Sequence, residues 1–278
     1  MKKSMVMSVS KDGLDVNRAK MIKSAGFDAL DICFYERDEL MLSSDYLAIL
    51  ENIGESIQKI GLECIHTHLY SYPLQVSGCY RDENTDLAIR RSIEASALLG
   101  AKRGVIHPRS SIADQHDTEI AFTQNKTQFT ELIEYAEKYN VDLAIENIPV
   151  FPDNPAGKFY TSDYKDLIRL VDALDSKRIC ICWDFGHAHL MDFDHPKAIL
   201  EAGSRIKAIH VHNNSRTGDF HQPPSCGSLK WPPVMKALGD TGYDQLFTIE
   251  LPFPPIEVFE SWLAHIYDCT VYLTNLMK

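Results

Sequence analysis

Eight short apolar segments alternate with amphipathic stretches from one end of the chain to the other. Each apolar segment has four to seven residues, is rich in Ile, Val, Leu, Phe and Cys, and lacks strict polar alternation. This pattern predicts strands that are covered on both faces, as in a parallel sheet. The predicted strands are Lys3–Ser8, Ala29–Phe34, Glu63–Leu69, Gly104–His107, Asp142–Ile148, Ile179–Trp183, Lys207–His212 and Phe247–Leu251.

The stretches between the strands have apolar residues at three- and four-residue spacing, which predicts helices. The predicted helices are Asp15–Ala25, Asp45–Ile60, Asn84–Leu99, Asp117–Tyr139, Asp163–Leu174, Pro196–Ala202, Pro233–Leu238 and Glu257–Met277. Most of them end at Gly or Asn, for example at Gly26 and Gly61, as C-terminal caps commonly do. Strands that alternate with helices in this way indicate βα units and a parallel sheet.

Eight βα units favour a closed (β/α)8 TIM barrel over an open doubly wound sheet. The chain has 278 residues, close to the roughly 250 that such a barrel commonly needs. No composition break or Pro/Gly/Ser-rich linker divides it, so residues 1–278 are predicted to form a single domain. No GxGxxG motif follows the first strand, which argues against a dinucleotide-binding fold.

The composition excludes several classes of protein. Lys and Arg number 28 against 39 Asp and Glu, a formal net charge of −11, which argues against a nucleic-acid partner. No apolar run reaches the roughly 18 residues of a membrane-spanning helix, and the N-terminal segment is too short and mixed for a signal peptide. The seven cysteines include no CxxC motif and are expected to be reduced thiols, which predicts a cytoplasmic protein.

Ionisable side chains follow six of the eight predicted strands. In a closed barrel these strand ends meet at one mouth, where barrel enzymes place their chemistry. Three carboxylates buried together require a cation, and a divalent metal ion with oxygen and nitrogen ligands would supply it. The residues concerned are His66, His68, His107, Glu146, Asp184, His187, His210, His212 and Glu250, with Asp219 and His221 in the loop after the seventh strand.

Strand periodicity separates the paired histidines. Residues two apart in a strand point to the same face, so both residues of each pair, His66 with His68 and His210 with His212, could face the barrel interior at different depths. His68 and His212 lie nearer the mouth and are the better candidates for metal ligands. His66 and His210 are expected one layer deeper, as core or supporting side chains.

Short motifs in this order resemble the xylose-isomerase-like TIM-barrel superfamily, over about residues 5–251. That group contains sugar and sugar phosphate isomerases and epimerases, and also AP endonucleases of the endonuclease IV type. The motifs that carry the resemblance are IHTHLY, GAKRGVIHP, LAIEN, CWDFGHAH, IHVHNN, GDFH and FTIEL.

The epimerase branch implies one divalent ion, Mn, Mg, Co or Zn, with one ligand from each of the last four strands. The corresponding positions here are Glu146, Asp184, His212 and Glu250. The resemblance also implies that His187 reaches the substrate and that the protein forms a dimer or tetramer. Glu146 and Glu250 would exchange protons with the substrate on opposite faces of the reacting carbon.

The endonuclease branch implies a larger, multi-metal ligand set. Its residue types are found here at His68, His107, His187, Asp219 and His221. In many relatives a PGEG-like loop follows the DxH motif, whereas this chain has Gln222–Ser228 without the Glu. The loop Gln222–Ser228 at the barrel mouth is therefore expected to differ in shape from that of those relatives.

Three functions remain open at this point. The first is a metal-dependent isomerase or epimerase of a small sugar or sugar phosphate that works through a cis-enediolate, with His187, His68 and Arg216 in contact with the substrate. The second is a multi-zinc phosphodiester hydrolase of the AP endonuclease type, which the acidic loops of the predicted mouth disfavour. The third is a non-catalytic binding barrel, which the retention of Glu146 and Glu250 argues against.

Overall fold

Eight parallel strands close into a barrel in the order β1 to β8, with β8 paired to β1. The computed structural model describes residues 1–35, 37–72, 82–109, 118–152 and 159–278. The strands are β1 Lys3–Ser8, β2 Ala29–Cys33, β3 Glu63–His68, β4 Arg103–Ile106, β5 Asp142–Glu146, β6 Ile179–Asp184, β7 Ile206–Val211 and β8 Phe247–Ile249. The predicted (β/α)8 TIM barrel is confirmed.

Ten described α-helices surround or cap the barrel. They are α1 Val16–Ala25, α2 Asp38–Met41, α3 Tyr46–Ile60, α4 Glu83–Leu98, α5 Thr118–Tyr139, α6 Tyr164–Leu174, α7 Phe185–Leu190, α8 His195–Ala202, α9 Trp231–Asp240 and α10 Ile256–Asn275. Aspartates begin several of them, because a carboxylate satisfies a free backbone N–H in the first turn. Asp15, Asp163 and Asp194 accept such bonds at α1, α6 and α8.

The two faces of the sheet differ in side-chain size. Large side chains such as Trp183 and Phe247 are fully buried in the main apolar core. A separate cluster of small residues, Val105, Ala144, Cys180, Cys182 and Ala208, fills the barrel interior. Because side chains alternate along a strand, the residues two positions beyond this cluster also point inward. The mouth-facing ends of β4 to β7 therefore carry their polar groups into the barrel.

The described cysteines are all free thiols. Cys33, Cys64, Cys180 and Cys182 are buried, as expected from their apolar strands, whereas Cys226 is exposed. Within the described part of the chain, no helix is long and apolar enough to cross a membrane.

Candidate metal centre and active site

Glu146 at the end of β5 is the centre of a buried cluster. Its Oε2 atom lies 3.1 Å from Nε2 of His107 and 3.5 Å from Nε2 of His68. Its Oε1 atom lies 3.1 Å from Nδ1 of His210. All four side chains are almost fully buried. The strand ends of β3, β4, β5 and β7 thus converge on one carboxylate.

Three carboxylates from three strands meet beside this cluster. Oxygen atoms of Glu146, Asp184 and Glu250 and a ring nitrogen of His210 all lie within 4.8 Å of one another. Nδ1 of His210 is 3.1 Å from Oε2 of Glu250 as well as from Glu146. His210, expected one layer deeper, therefore lies between the two glutamates that are predicted to act as acid and base.

His212 lies in an adjoining group rather than in this one. Its Nε2 atom is 3.0 Å from both carboxylate oxygens of Asp184. The compact sets of donor atoms found among the described residues join His212 to His187, Asp219 and His221. Asp184 is the residue that connects the two groups. The assignment of His212 to a single ion with Glu146, Asp184 and Glu250 remains a prediction.

Asp219, in the loop after β7, contacts two histidines of the adjoining group. Its Oδ2 atom lies 3.1 Å from Nε2 of His187 and 3.2 Å from Nε2 of His221. The rings of His221 and His212 stack with their centroids 3.8 Å apart. The DxH motif of this loop therefore reaches back over the barrel mouth.

Two asparagines that follow predicted ligands hold the backbone of the centre. Oδ1 of Asn147 accepts a hydrogen bond from the Asp184 amide at 2.7 Å, and its Nδ2 donates to the Asp184 carbonyl at 2.9 Å. Nδ2 of Asn214 donates to the Gly186 carbonyl at 2.8 Å. Neither asparagine is among the predicted site residues. Their only signal in the sequence is their position beside the ligand candidates in LAIEN and IHVHNN.

Opposite charges determine the protonation of the cluster. Burial raises the pKa of Glu146, but His210, His107 and His68 beside it lower that pKa to well below its usual value. Asp219 is likewise held ionised against its burial, because His187 and His221 lower its pKa. Burial lowers the pKa of each of these rings, but nearby acidic groups raise the pKa of His68, His187 and His210 overall, whereas that of His107 stays below its usual value.

The donor atoms fit a divalent cation. Buried Nδ1 of His212 and Oδ1 of Asp219 make no hydrogen bond within the described residues. Unpaired buried polar atoms are rare in folded proteins. Carboxylates suit Mg and Mn, and imidazoles suit Zn and other transition metals, so the set accommodates the predicted ions without selecting one.

The backbone of α7 allows His212 to approach the centre. A Cβ atom built on Gly186 would lie 1.9 Å from Cε1 and 2.2 Å from Nδ1 of the His212 ring. We expect Gly186→Ala to displace this ring and to lower the affinity for a divalent ion by about 10-fold or more. Gly54→Ala in α3 is the matched control, because its Cβ would make an ordinary contact at 3.4 Å. Calorimetric titration with Mn2+ compares the two variants, and an unchanged affinity in Gly186→Ala would contradict the prediction.

Metal binding is expected to compete with protons at His221. Burial lowers the pKa of this ring, but Asp219 and Glu250 raise it overall to about 9. Below that pH the ring is protonated and must release its proton to bind an ion. Affinity for Zn2+ should therefore increase from neutral pH towards about pH 9, with protons released on binding. Calorimetry in buffers of different ionisation enthalpy measures this release, and His221→Asn should reduce it.

Arg216, predicted to contact the substrate, lies on the rim. Its side chain is about half exposed, with Nη2 3.2 Å from the Met191 carbonyl and 3.6 Å from Oδ1 of Asp192. No described contact joins it to the donor groups. Asp192 beside it is exposed, and so is Glu39 in α2 after β2. Of the other predicted acidic loops, Tyr80–Glu83 lies partly and Asp114–Asp117 wholly outside the described residues.

Comparison with known proteins identifies the family. Residues 19–269 match the family described as xylose isomerase-like TIM barrel. The chain belongs to this family. An uncharacterized protein of Methanocaldococcus jannaschii is 29% identical over 168 residues, 58% of this chain and 55% of that protein. An uncharacterized protein of Sinorhizobium fredii is 24% identical over 176 residues, 62% of this chain and 54% of that protein. The chain thus spans about half the length of the curated relatives it matches.

Several solved structures share the fold at low sequence identity. D-psicose 3-epimerase, with D-fructose present, has a TM-score of 0.78 at 13% identity, and the match covers 99% of both chains. D-psicose 3-epimerase from Clostridium cellulolyticum H10 has a TM-score of 0.77 at 14% identity, again over 99% of both chains. A family 2 AP endonuclease from Brucella melitensis has a TM-score of 0.68 at 16% identity, over 95% of this chain and 99% of that one. Both predicted branches are therefore represented among structures with this fold.

Proposed function

We propose that the protein is a divalent-metal-dependent isomerase or epimerase of a small sugar or sugar phosphate. The observation that carries this proposal is the approach of Glu146 and Glu250, from β5 and β8, within 4.8 Å of each other beside Asp184. Proton transfer next to a carbonyl needs one or two bases beside the reacting carbon. Two glutamates that enter one cavity from different strands meet this requirement.

The two glutamates differ in access to the mouth. The Glu250 side chain is 16% exposed, whereas that of Glu146 is 1% exposed. Glu250 would therefore be the first of the two to meet a substrate, and Glu146 would act from the floor of the cavity. His187 is held by Asp219 and by the Asn147 carbonyl, 2.9 Å from its Nδ1 atom. To orient a substrate hydroxyl next to the glutamates, its Nε2 atom would exchange the contact with Asp219 for the substrate.

A bound divalent ion would hold two adjacent substrate oxygens and stabilise the negative charge of the enediolate. The chain's own contribution is the position of its bases and the closure of the floor. The small side chains of the barrel interior are buried and close the floor beneath Glu146. One glutamate would take the proton from the substrate and the other would deliver a proton that exchanges with solvent, so solvent hydrogen should appear at the reacting carbon.

A screen of ketoses and ketose phosphates tests the proposal directly. Purified protein is loaded with Mn2+, Co2+, Mg2+ or Zn2+ and incubated with each sugar in deuterated water. We expect deuterium at the carbon next to the carbonyl of one substrate, together with its epimer or isomer. Epimerisation without exchange, or no conversion of any sugar with any ion, would count against the proposed mechanism.

A second candidate function is a multi-zinc phosphodiester hydrolase. The observation that favours it is the presence of separate donor groups on either side of the central acids: His68, His107 and Glu146 on one side, and the group around Asp219 on the other. Clustered ions can activate water and clamp a phosphate. The net charge of −11 disfavours DNA as the substrate. Nicking of an abasic DNA duplex by the zinc-loaded protein, with no conversion of sugars, would reverse the ranking.

A further inference from the structure

A buried carboxylate lies inside the barrel beneath the metal centre. Asp31 in β2 has no exposed surface, and neither of its side-chain oxygens makes a hydrogen bond within the described residues. The ring of His210 faces it, with its Nε2 atom 3.7 Å from Oδ2 of Asp31. Such a carboxylate is costly to bury without compensation, so its interaction with His210 is the feature that needs an explanation.

His210 connects this carboxylate to both proposed catalytic glutamates. Its Nε2 atom faces Asp31 and makes no hydrogen bond, while its Nδ1 atom lies 3.1 Å from Glu146 and 3.1 Å from Glu250. The His210 ring also stacks on His68, with the centroids 5.6 Å apart. A rotation of this ring would break both glutamate contacts together. The direction in which Nε2 is held therefore determines where Nδ1 points.

We propose that Asp31 is a positioning residue that fixes the ring of His210 and, through it, the carboxylates of Glu146 and Glu250. This proposal rests on the proposed function for its catalytic consequence, but its effect on the donor atoms is independent of which sugar is used. Partners behind the ligands of a metal commonly set ligand orientation, and their loss commonly costs about 10- to 100-fold in affinity or activity. Asp31 is in this position relative to two glutamates at once.

Asp31→Asn tests the proposal, since it keeps the shape of the side chain and replaces a carboxyl oxygen with an amide nitrogen. The matched control is Thr248→Val. Thr248 is equally buried, is the register partner of His210 in β8, and carries a hydroxyl without a hydrogen bond. The probe is Mn2+ alone, followed by electron paramagnetic resonance titration of the whole protein. We expect Asp31→Asn to weaken binding by about 10- to 100-fold and to change the spectrum of the bound ion, with Thr248→Val close to wild type.

A double-variant cycle separates positioning from general destabilisation. If Asp31 acts through His210, Asp31→Asn should add little to the loss of Mn2+ affinity caused by His210→Asn. The reason is that the effects of substitutions at coupled residues on the free energy of binding are not additive. With a ketose that the wild type converts, kcat should fall in Asp31→Asn while KM changes by less than about threefold. Additive losses, or wild-type Mn2+ affinity and spectrum in Asp31→Asn, would overturn the proposal.

Folding of the variants is also decisive. Asp31→Ser provides a second, smaller replacement, and its Mn2+ affinity should match that of Asp31→Asn. If neither variant folds, Asp31 has a structural role and the proposal is wrong. If the wild type binds Mn2+ but converts no sugar, the proposed function fails, whereas the binding cycle still decides the role of Asp31.

Discussion

Replacement of Glu146 or Glu250 by Gln is expected to lower sugar isomerisation or epimerisation by about 10²- to 10⁴-fold while leaving the barrel folded. Gln has nearly the shape of Glu but cannot take up a proton, so the loss should appear in kcat. Steady-state kinetics on a substrate from the ketose screen, with the metal content of each variant measured, gives the comparison. Solvent deuterium exchange should disappear in the variant that lacks the abstracting base.

An exposed glutamate provides the control for these variants. Glu260 lies on the outer surface of α10, so Glu260→Gln should keep wild-type activity. Near-native turnover in Glu146→Gln or in Glu250→Gln would contradict the two-carboxylate mechanism. Loss of activity together with loss of bound metal would instead show that the glutamate serves mainly as a ligand.

Removal of divalent metal is the second large effect that we expect. Chelation should abolish activity, and addition of one suitable ion should restore it. The reason is that the proposed mechanism depends on a divalent ion to stabilise the negative charge of the enediolate. A metal that binds only the folded state should also stabilise the protein, by about 2.7 kcal/mol at 100 times its Kd. Thermal unfolding with and without the ion measures this shift.

Asp184→Asn is the informative variant for the metal experiment. Asp184 contacts both donor groups and is fully buried, so its neutral replacement should reduce the thermal shift on metal addition. The fold is retained if unfolding of the metal-free variant stays cooperative. Full activity of a chelated protein that holds no metal by elemental analysis would contradict metal dependence.

The strands of the barrel were predictable because each is a compact apolar run. Lys3–Ser8 is reproduced without change, and Asp142–Ile148 ends two residues earlier in the structure, at Glu146. Short apolar runs bounded by polar residues leave little freedom in where a buried strand can lie. The barrel itself followed from the number of such runs and the absence of a linker.

The two short helices at the mouth were not predictable in the same way. α2 and α7 have four and six residues, too few for a periodic apolar pattern. α7 begins where it does because Oδ1 of Asp184 accepts the backbone N–H of His187 at 2.6 Å. In the sequence this appears only as a DxxH spacing, which was interpreted as a ligand motif rather than as a helix cap.

The convergence of acids and imidazoles at one mouth was predictable from the strand ends, but their internal grouping and the rim position of Arg216 were not. The two-residue period of a strand predicts that His210 and His212 point into the barrel. It does not predict the depth along the barrel axis at which each ring contacts the carboxylates. A register shift between Ile181 and Cys182 offsets β6 against β7. Such a shift is not predictable from the residue pattern of the strands. Asp31 was missed because it is one acid inside an otherwise apolar strand.

Asp184 serves two groups of donors with one side chain. Its carboxylate caps α7 through His187, faces Nε2 of His212, and lies within reach of Glu146 and Glu250. An ion that draws this carboxylate to one side changes the charge and geometry available on the other side. Successive ions would therefore not load independently, and a metal titration should show interdependent steps rather than a set of equal, separate sites.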